Sequence, residues 1–357
     1  MKSKALYVHI PFCRSICAYC DFCRVVYQKK LVRPYLEALQ SELKRLSGQT
    51  FETVYIGGGT PTSFDEEELK ELLEMLSPYL KSAKEKTIEV NPETLNDAKA
   101  ALLENYGINR VSLGIQSFEK RLLDLCGRRH TREDVEYALQ LLRTHGITNI
   151  SADFIYGLPT QAKEEFLSDL KAAVDLQIPH LSFYMLTIEE NSVFGKKGIQ
   201  PQEEDLSDSM YFEGIAYLNR KGYHQYEISN FCLNGYESEH NKVYWRYENY
   251  EGVGIGASGK VDYVRYTNTS SFEKYFRGEY REEELHLSES DLAFETVMMG
   301  LRLKEGITLS DENYQRYQNV IYELEQKNLL VSNGQHIRCS EKGYYLLNDV
   351  LLEFMED

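Results

Sequence analysis

The sequence predicts an α/β fold: a curled parallel sheet of six β/α units, followed by a smaller, mostly helical C-terminal domain. Three observations carry this. Short apolar runs alternate with amphipathic helical stretches through the first half of the chain. Residues of unusual chemistry follow those runs instead of sitting inside them. After about Gly195 the pattern changes character.

Strands are expected over 6–10, 53–56, 87–90, 110–115, 149–155 and 181–186. Helices are expected over 34–46, 66–80, 132–145 and 163–176. Within 66–80, Leu69, Leu72, Leu73, Leu76 and Leu80 recur at helical spacing and make one apolar face. Strands separated by helices pair in parallel through right-handed crossovers. Six such units fit an incomplete TIM-type (β/α)6 barrel, in which sites gather at the C-terminal strand ends. Cys13, Gly57-Gly58-Gly59, Glu89, Gln116 and Asp153 each stand there, so they are expected at one mouth. Further on, 206–220 reads as a helix. The segment 236–260 is rich in Tyr, Gly and Asn and contains His240-Asn241-Lys242-Val243-Tyr244-Trp245. From Ser288 the order is helix, helix, hairpin, helix, with Ser332-Asn333-Gly334 as the hairpin turn. This resembles a winged helix. The expected organisation is a barrel over 1–230, a linking region over 231–287 and a C-terminal domain over 288–357.

A chain of 357 residues accommodates a barrel with an appendage at roughly 100–200 residues per domain. The net charge of −16 repels nucleic-acid phosphate and anionic lipid taken as a whole. From Glu289 onward six basic side chains face thirteen acidic ones, so DNA reading by the tail is not expected. No stretch approaches the ~20 apolar residues of a membrane span. The apolar run at the N-terminus is too short for a signal peptide. A cytoplasmic protein is expected, with a peripheral membrane contact left open.

Of seven cysteines, four fall within 13–23, which argues for a metal site and against a disulfide framework. Cys13-x3-Cys17-x2-Cys20 places three thiolates on one short loop. They suffice for three irons of a cubane cluster and leave the fourth open to a small molecule. The competing reading is zinc with Cys23 as fourth ligand, although structural zinc usually takes two ligand pairs separated by a longer loop. The three glycines allow backbone N–H groups to approach a ligand without interference from Cβ; an ordinary turn is the alternative. Glu89 offers a charged acceptor, or else a helix N-terminal charge. Gln116 offers a side-chain amide, or else a buried structural contact. Arg128 and Asp153, taken singly, are more often ion-pair partners. Cys126, Cys232 and Cys339 read as buried apolar thiols, and His9 as a support for the cysteine loop.

The segment Tyr7-Val8-His9-Ile10-Pro11-Phe12-Cys13, followed by Cys17-Ala18-Tyr19-Cys20-Asp21-Phe22, resembles the radical S-adenosylmethionine (SAM) superfamily. Four further motifs narrow the resemblance: Gly57-Gly58-Gly59-Thr60-Pro61, Glu89-Val90-Asn91-Pro92, Gly114-Ile115-Gln116-Ser117 and His240-Asn241-x-x-Tyr244-Trp245. They are similar to the coproporphyrinogen-dehydrogenase-like branch, and within it to the HemW heme chaperones. The resemblance runs from Tyr7 to the C-terminus. It implies a [4Fe-4S] cluster on Cys13, Cys17 and Cys20 and a SAM molecule chelating the open iron, with the hard chemistry left to the cofactors. It places Tyr7, Gly58, Gly59, Thr60, Glu89, Gln116, Arg128 and Asp153 against SAM. It also makes His240 a candidate axial ligand to heme, a loop brace being the alternative.

Two functions follow from the resemblance. One is a chaperone that binds heme, or another porphyrin, and carries it to an apo-hemoprotein. The other is an oxygen-independent coproporphyrinogen III oxidase (dehydrogenase), which decarboxylates two propionates to vinyls. In the dehydrogenases the third cluster cysteine is followed by one residue and a further cysteine. Here Phe22 occupies that position and Cys23 is displaced by one. The dehydrogenases also carry a long extension before the barrel, whereas six residues precede Tyr7. Both departures favour the chaperone; another radical reaction on a tetrapyrrole stays open.

Overall fold

The computed structural model describes residues 2–355. Six parallel strands form where the apolar runs stand: β1 (Ala5–Ile10), β2 (Thr53–Gly58), β3 (Glu85–Val90), β4 (Arg110–Gln116), β5 (Asn149–Tyr156) and β6 (His180–Met185). They pair in sequence order, Val8 beside Ile56 and Leu113 beside Ala152, for example. Successive side chains of a strand point to opposite faces. One face carries Leu6, Val8, Ile10, Val54, Ile56 and Ile88, all fully buried beneath helices. The other carries Tyr7, His9, Tyr55, Glu89, Ser112 and Asp153, so the inside of the curl is polar. Apolar packing therefore lies between sheet and helices, and the lumen is left for chemistry.

The covering helices are α1 (Lys29–Leu43), α2 (Glu66–Leu80), α3 (Asp97–Asn105), α4 (Lys120–Cys126), α5 (Arg132–Thr144) and α6 (Lys163–Asp175). Asp65 and Glu68 close a capping box on α2, whose leucine face is buried as expected. The helix expected from Pro34 begins at Lys29, so Pro34 sits inside it. An interior proline costs roughly 3 kcal/mol. The buried face of Val32, Tyr35, Leu36, Leu39 and Leu43 outweighs it, at about 1.5–3 kcal/mol for each large side chain.

The sheet continues beyond the six strands on both sides. Past β6 come β8 (Asn230–Cys232) and then β7 (His224–Glu227), both antiparallel. On the far side of β1, β9 (Tyr250–Val253) pairs in parallel. It is followed by an antiparallel run of β10 (Ser258–Val261), β11 (Val264–Asn268) and β12 (Arg281–His286). Among the described residues, twelve strands thus form one sheet. The region expected as a link, 231–287, contributes strands β9 to β12 to the sheet.

After the short α7 (Val193–Lys196) and the long α8 (Glu204–Arg220), α9 (Glu239–Trp245) packs against β2 at the N-terminal end of the lumen. Its first turn is held by Glu85, whose carboxylate accepts from the N–H groups of Glu239 and His240 at 3.0 and 2.8 Å. The short α10 (Phe272–Phe276) then packs on α1. The C-terminal part builds its own apolar core from α11 (Glu289–Gly300), α12 (Asp311–Gln326), α13 (Glu341–Tyr345) and α14 (Leu347–Leu352). A small sheet of β13 (Ile307–Thr308), β14 (Leu330–Asn333) and β15 (His336–Cys339) completes it. The hairpin turn falls where the sequence places it, with Gly334 at φ +63°. Among the described residues no helix is long and apolar enough to cross a membrane.

Candidate functional site

The cysteine loop leaves β1 and is fastened at several points. Tyr27 N–H donates to the Cys13 carbonyl and Val25 N–H to the Pro11 carbonyl. Ala18 N–H donates to the carbonyl of Cys126, at the end of α4. Cys13, Cys17 and Cys20 are free, half-buried thiols that line one cavity of about 480 Å³ at the C-terminal ends of the strands. Burial pushes the Cys13 thiol up to about 12, against a contact from Thr60 and with Cys17 and Cys20 adding to the rise. The protein alone therefore does not hold this group as a thiolate, whereas a metal does so by displacing the proton. Cys23 lines a different, neighbouring cavity. Among the described residues, the group of three metal-binding side chains drawn within 4.8 Å of one another lies elsewhere. A single zinc ion needs its ligands that close; the looser trio suits the larger cubane.

The glycine run ends β2 against this cavity. A Cβ at Gly57 would stand 2.5 Å from Glu89 Oε1, one at Gly58 2.3 Å from the His9 ring, and one at Gly59 2.6 Å from the Ile10 carbonyl oxygen. Gly58 also has φ +101°. Backbone thus forms this wall. Glu89 accepts from Gly58 N–H at 3.0 Å and from the Tyr55 hydroxyl at 2.9 Å. Both carboxylate oxygens already have protein donors, so Glu89 first of all fixes the glycine strand. Burial pushes its carboxyl up to about 7, with the charge of Asp153 adding.

Arg128 ties three elements together. Its Nη1 approaches Cys17 Sγ at 3.7 Å, and its Nη2 donates to Asn91 Oδ1 at 3.0 Å and to the carbonyl of Gly114. Its Nε is buried without a partner, an unspent donor beside the cavity. Asn91 passes the connection on to Thr60, which in turn sits 3.9 Å from Cys13 Sγ. Gln116 lies at φ +68°, a left-handed conformation that costs an L-residue roughly 1–2 kcal/mol. It stands at a register shift between β4 and β5 and lines the cavity. Asp153 accepts from Ser112 at 2.5 Å and from Ser151 at 3.2 Å, and burial raises its carboxyl. Orphaned Nε, exposed backbone and a strained Gln116 are what a ligand with both charged and polar groups would use.

Two expected site residues are placed differently. Tyr7 is not among the residues lining the cysteine cavity: its hydroxyl meets His9 Nδ1 at 3.0 Å, and its ring lines the neighbouring cavity. His240, the candidate heme ligand, is fully buried, with both ring nitrogens engaged. Nδ1 meets Thr53 Oγ1 and Nε2 meets the Tyr244 hydroxyl, each at 2.8 Å, and the ring packs on Tyr55. Burial lowers its pKa to about 3. In this arrangement it braces the α9 plug and offers no lone pair to iron.

The neighbouring cavity, about 540 Å³, was not visible in the sequence. Its walls come from β1 (Tyr7, His9), α9 (Tyr244, Trp245), β9–β11 (Tyr250, Lys260, Arg265) and α11 (Met298, Met299). Trp245 Nε1 is buried there without a partner. Phe22 lines both cavities, so the cysteine loop is the partition between them. Tyr55, Asn91 and Tyr184 were also missed as site residues. Only Asn91 had a signal, its place in Glu-Val-Asn-Pro.

Comparisons with known proteins agree with this geometry. The Radical SAM superfamily model matches residues 7–173, and the HemN C-terminal domain model matches 287–346. The heme chaperone HemW of Lactococcus lactis is 36% identical over 100% of this chain and 98% of its own length. That of Bacillus subtilis is 35% identical over 99% of both chains. A mitochondrial radical SAM domain-containing protein 1 from Bos taurus is 31% identical over 98% of this chain and 87% of its own. The solved structure of coproporphyrinogen III oxidase (HemN) from Escherichia coli superposes with a TM-score of 0.85 over 99% of this chain and 90% of that one; at 22% identity this speaks for the fold. End-to-end identity of this size, on a barrel with its cysteine trio at the mouth, means that the chain belongs to the radical SAM superfamily and, within it, to the HemW family.

Proposed function

We propose that this chain is a cytoplasmic heme chaperone, which binds heme and hands it to an apo-hemoprotein met in solution or at a membrane surface. The observation that carries the reading is the match, over its whole length, to relatives named for that activity. Membership of the superfamily implies a [4Fe-4S] cluster and SAM. In our reading Cys13, Cys17 and Cys20 hold the cluster. Gly58, Gly59, Thr60, Glu89, Gln116, Arg128 and Asp153 form the SAM side of the same cavity. Bound there, the pair supplies one-electron reductive cleavage of SAM. The residues of the chain position and shield: Arg128 and Asn91 fix the loop, Glu89 the glycine wall, and Phe22 closes the side toward the second cavity.

That second cavity supports the heme reading. It lies within the 300–1,000 Å³ typical of small-molecule sites and is walled mainly by aromatic rings and two methionines. Lys260 and Arg265 share its wall with Glu248 and Glu295, and Arg265 pairs with Glu295 at 2.7 Å, so a carboxylate-bearing ligand would compete with Glu295 for that guanidinium. Cys23, Met298 and Met299 are the side chains of the wall best suited to heme iron.

The deciding experiment is an anaerobic assay with reconstituted cluster, SAM, reductant and coproporphyrinogen III. The chaperone reading expects heme binding and no protoporphyrinogen IX above a control without protein. Accumulation of protoporphyrinogen IX would instead assign the oxidase activity.

A further inference from the structure

A group of side chains on the far edge of the sheet has no part in either cavity. His224 on β7 and Cys232 on β8 stand directly opposite in antiparallel register. Glu237 reaches the same spot from the loop before α9. His224 Nε2 lies 2.9 Å from Glu237 Oε1 and 3.7 Å from Cys232 Sγ, and the donor atoms of all three fall within 4.8 Å of one another.

A thiol, an imidazole and a carboxylate together invite a comparison with a nucleophile relay. A relay needs the acid on one imidazole nitrogen and the thiol on the other. Here both converge on Nε2, and Nδ1 is buried without a partner. Convergence of three donors on one point is the geometry of chelation. The donor set of one thiolate, one imidazole and one carboxylate matches borderline-soft Zn²⁺.

The backbone holds these donors in advance. Cys232 is fully buried, and its strand pairs on both sides, with His180 of β6 and with His224. The loop to Glu237 is closed by Leu233 N–H donating to Pro179 and Tyr236 N–H donating to Leu233. Arg110 donates to the carbonyls of Tyr236 and Glu237 at 2.9 and 3.4 Å. Its positive charge near the site is offset by Glu85 at 3.9 Å. His224 is 38% exposed at the side chain and lines an open cleft beneath α8, which gives an ion a way in and leaves water for a fourth position.

We propose that His224, Cys232 and Glu237 bind one Zn²⁺ ion, separate from the cluster, pinning the β7–β8 edge to the loop that leads into the α9 plug. The test uses cluster-loaded full-length protein, so that Cys13, Cys17 and Cys20 are occupied, titrated anaerobically with Zn²⁺ against a chromophoric chelator. One equivalent is expected to bind. His224→Ala and Cys232→Ser are each expected to weaken binding by at least about tenfold. Co²⁺ in place of Zn²⁺ is expected to show a thiolate charge-transfer band in the wild type. Wild-type protein that binds no zinc in the chelator competition, or gives no such band, overturns the proposal. So does equal zinc binding by His224→Ala, whose partly exposed site spares the fold if Cys232→Ser does not.

Discussion

His9 Nε2 meets the carbonyl of Cys23 at 2.7 Å while its Nδ1 meets the hydroxyl of Tyr7, so one buried imidazole ties β1 to the last turn of the cysteine loop. Burial lowers this histidine to about 4, despite the carbonyl, so it is neutral at physiological pH and Nε2–H donates. A folded pKa below the unfolded value of about 6.5 fixes the sign. The stabilisation is complete above about pH 6.5 and is lost as pH falls toward 4, by up to about 3 kcal/mol. His9→Gln, compared with wild type by urea unfolding of cluster-free protein, is expected to flatten the stability profile between those pH values. The same variant is expected to hold less iron and sulfide per chain after reconstitution. An unchanged pH profile would remove His9 from the fastening of the loop.

Glu89 behaves in the opposite sense. Its folded pKa of about 7 lies above the unfolded value, so its ionised form is carried at a cost that grows as pH rises from about 4.5 to 7. Glu89→Gln removes that cost while leaving one oxygen to accept from Gly58 or Tyr55. Cluster-free Glu89→Gln is expected to be more stable than wild type above pH 7, by up to about 3 kcal/mol, with the advantage gone below pH 4.5. Reconstituted Glu89→Gln is expected to bind SAM more weakly, read by equilibrium dialysis.

Gly48 and Gly58 both have positive φ, at +80° and +101°, yet their surroundings differ. A Cβ at Gly48 meets nothing within 4 Å, whereas one at Gly58 runs into the His9 ring. Gly48→Ala is expected to cost about 1 kcal/mol for the backbone alone. Gly58→Ala adds a steric clash with a fully hydrogen-bonded imidazole, and about 2 kcal/mol or more beyond the Gly48 value is expected. Thermal unfolding of the two variants side by side measures the difference.

Much of this architecture was legible in the chain, because helix-facing strand residues such as Val54, Ile56, Ile88 and Val111 announce the sheet by their apolarity. The mouth was legible because Cys13, Gly58, Glu89 and Asp153 stand at strand ends. What stayed hidden depends on long-range pairing. Tyr250–Val253 reads as a polar, glycine-containing loop and becomes a strand only by lying beside β1. The second cavity joins side chains from β1, α9 and α11, and no local pattern announces that meeting. Tyr7 lines that second cavity too, while the family resemblance places it against SAM.

Arg128 holds Cys17, Asn91 and Gly114 with a planar fork, which an ammonium group cannot reproduce. Arg128→Lys keeps the charge and loses the simultaneous contacts. SAM affinity of the reconstituted variant is expected to fall by about 10- to 100-fold, with iron content changed much less. A loss of cluster as severe as that of SAM binding would instead make Arg128 chiefly a support for the cysteine loop.

His240 supplies the sharpest contrast between a residue that binds heme and one that shapes its site. Its side chain is buried between Thr53 and Tyr244, and Tyr244 forms a wall of the second cavity. His240→Ala leaves a void and an unpaired Thr53 hydroxyl, a loss of roughly 2–5 kcal/mol. Heme affinity is therefore expected to fall because Tyr244 and α9 shift, while the absorption and resonance Raman signature of the remaining bound heme is unaltered. Cys23→Ser and Met298→Leu touch the wall directly without disturbing the brace. At least one of them is expected to change the axial-ligand signature at nearly full stability. If His240→Ala alone changes that signature and neither wall variant does, α9 must unlatch to present His240, and the plug is then a moving part of heme capture.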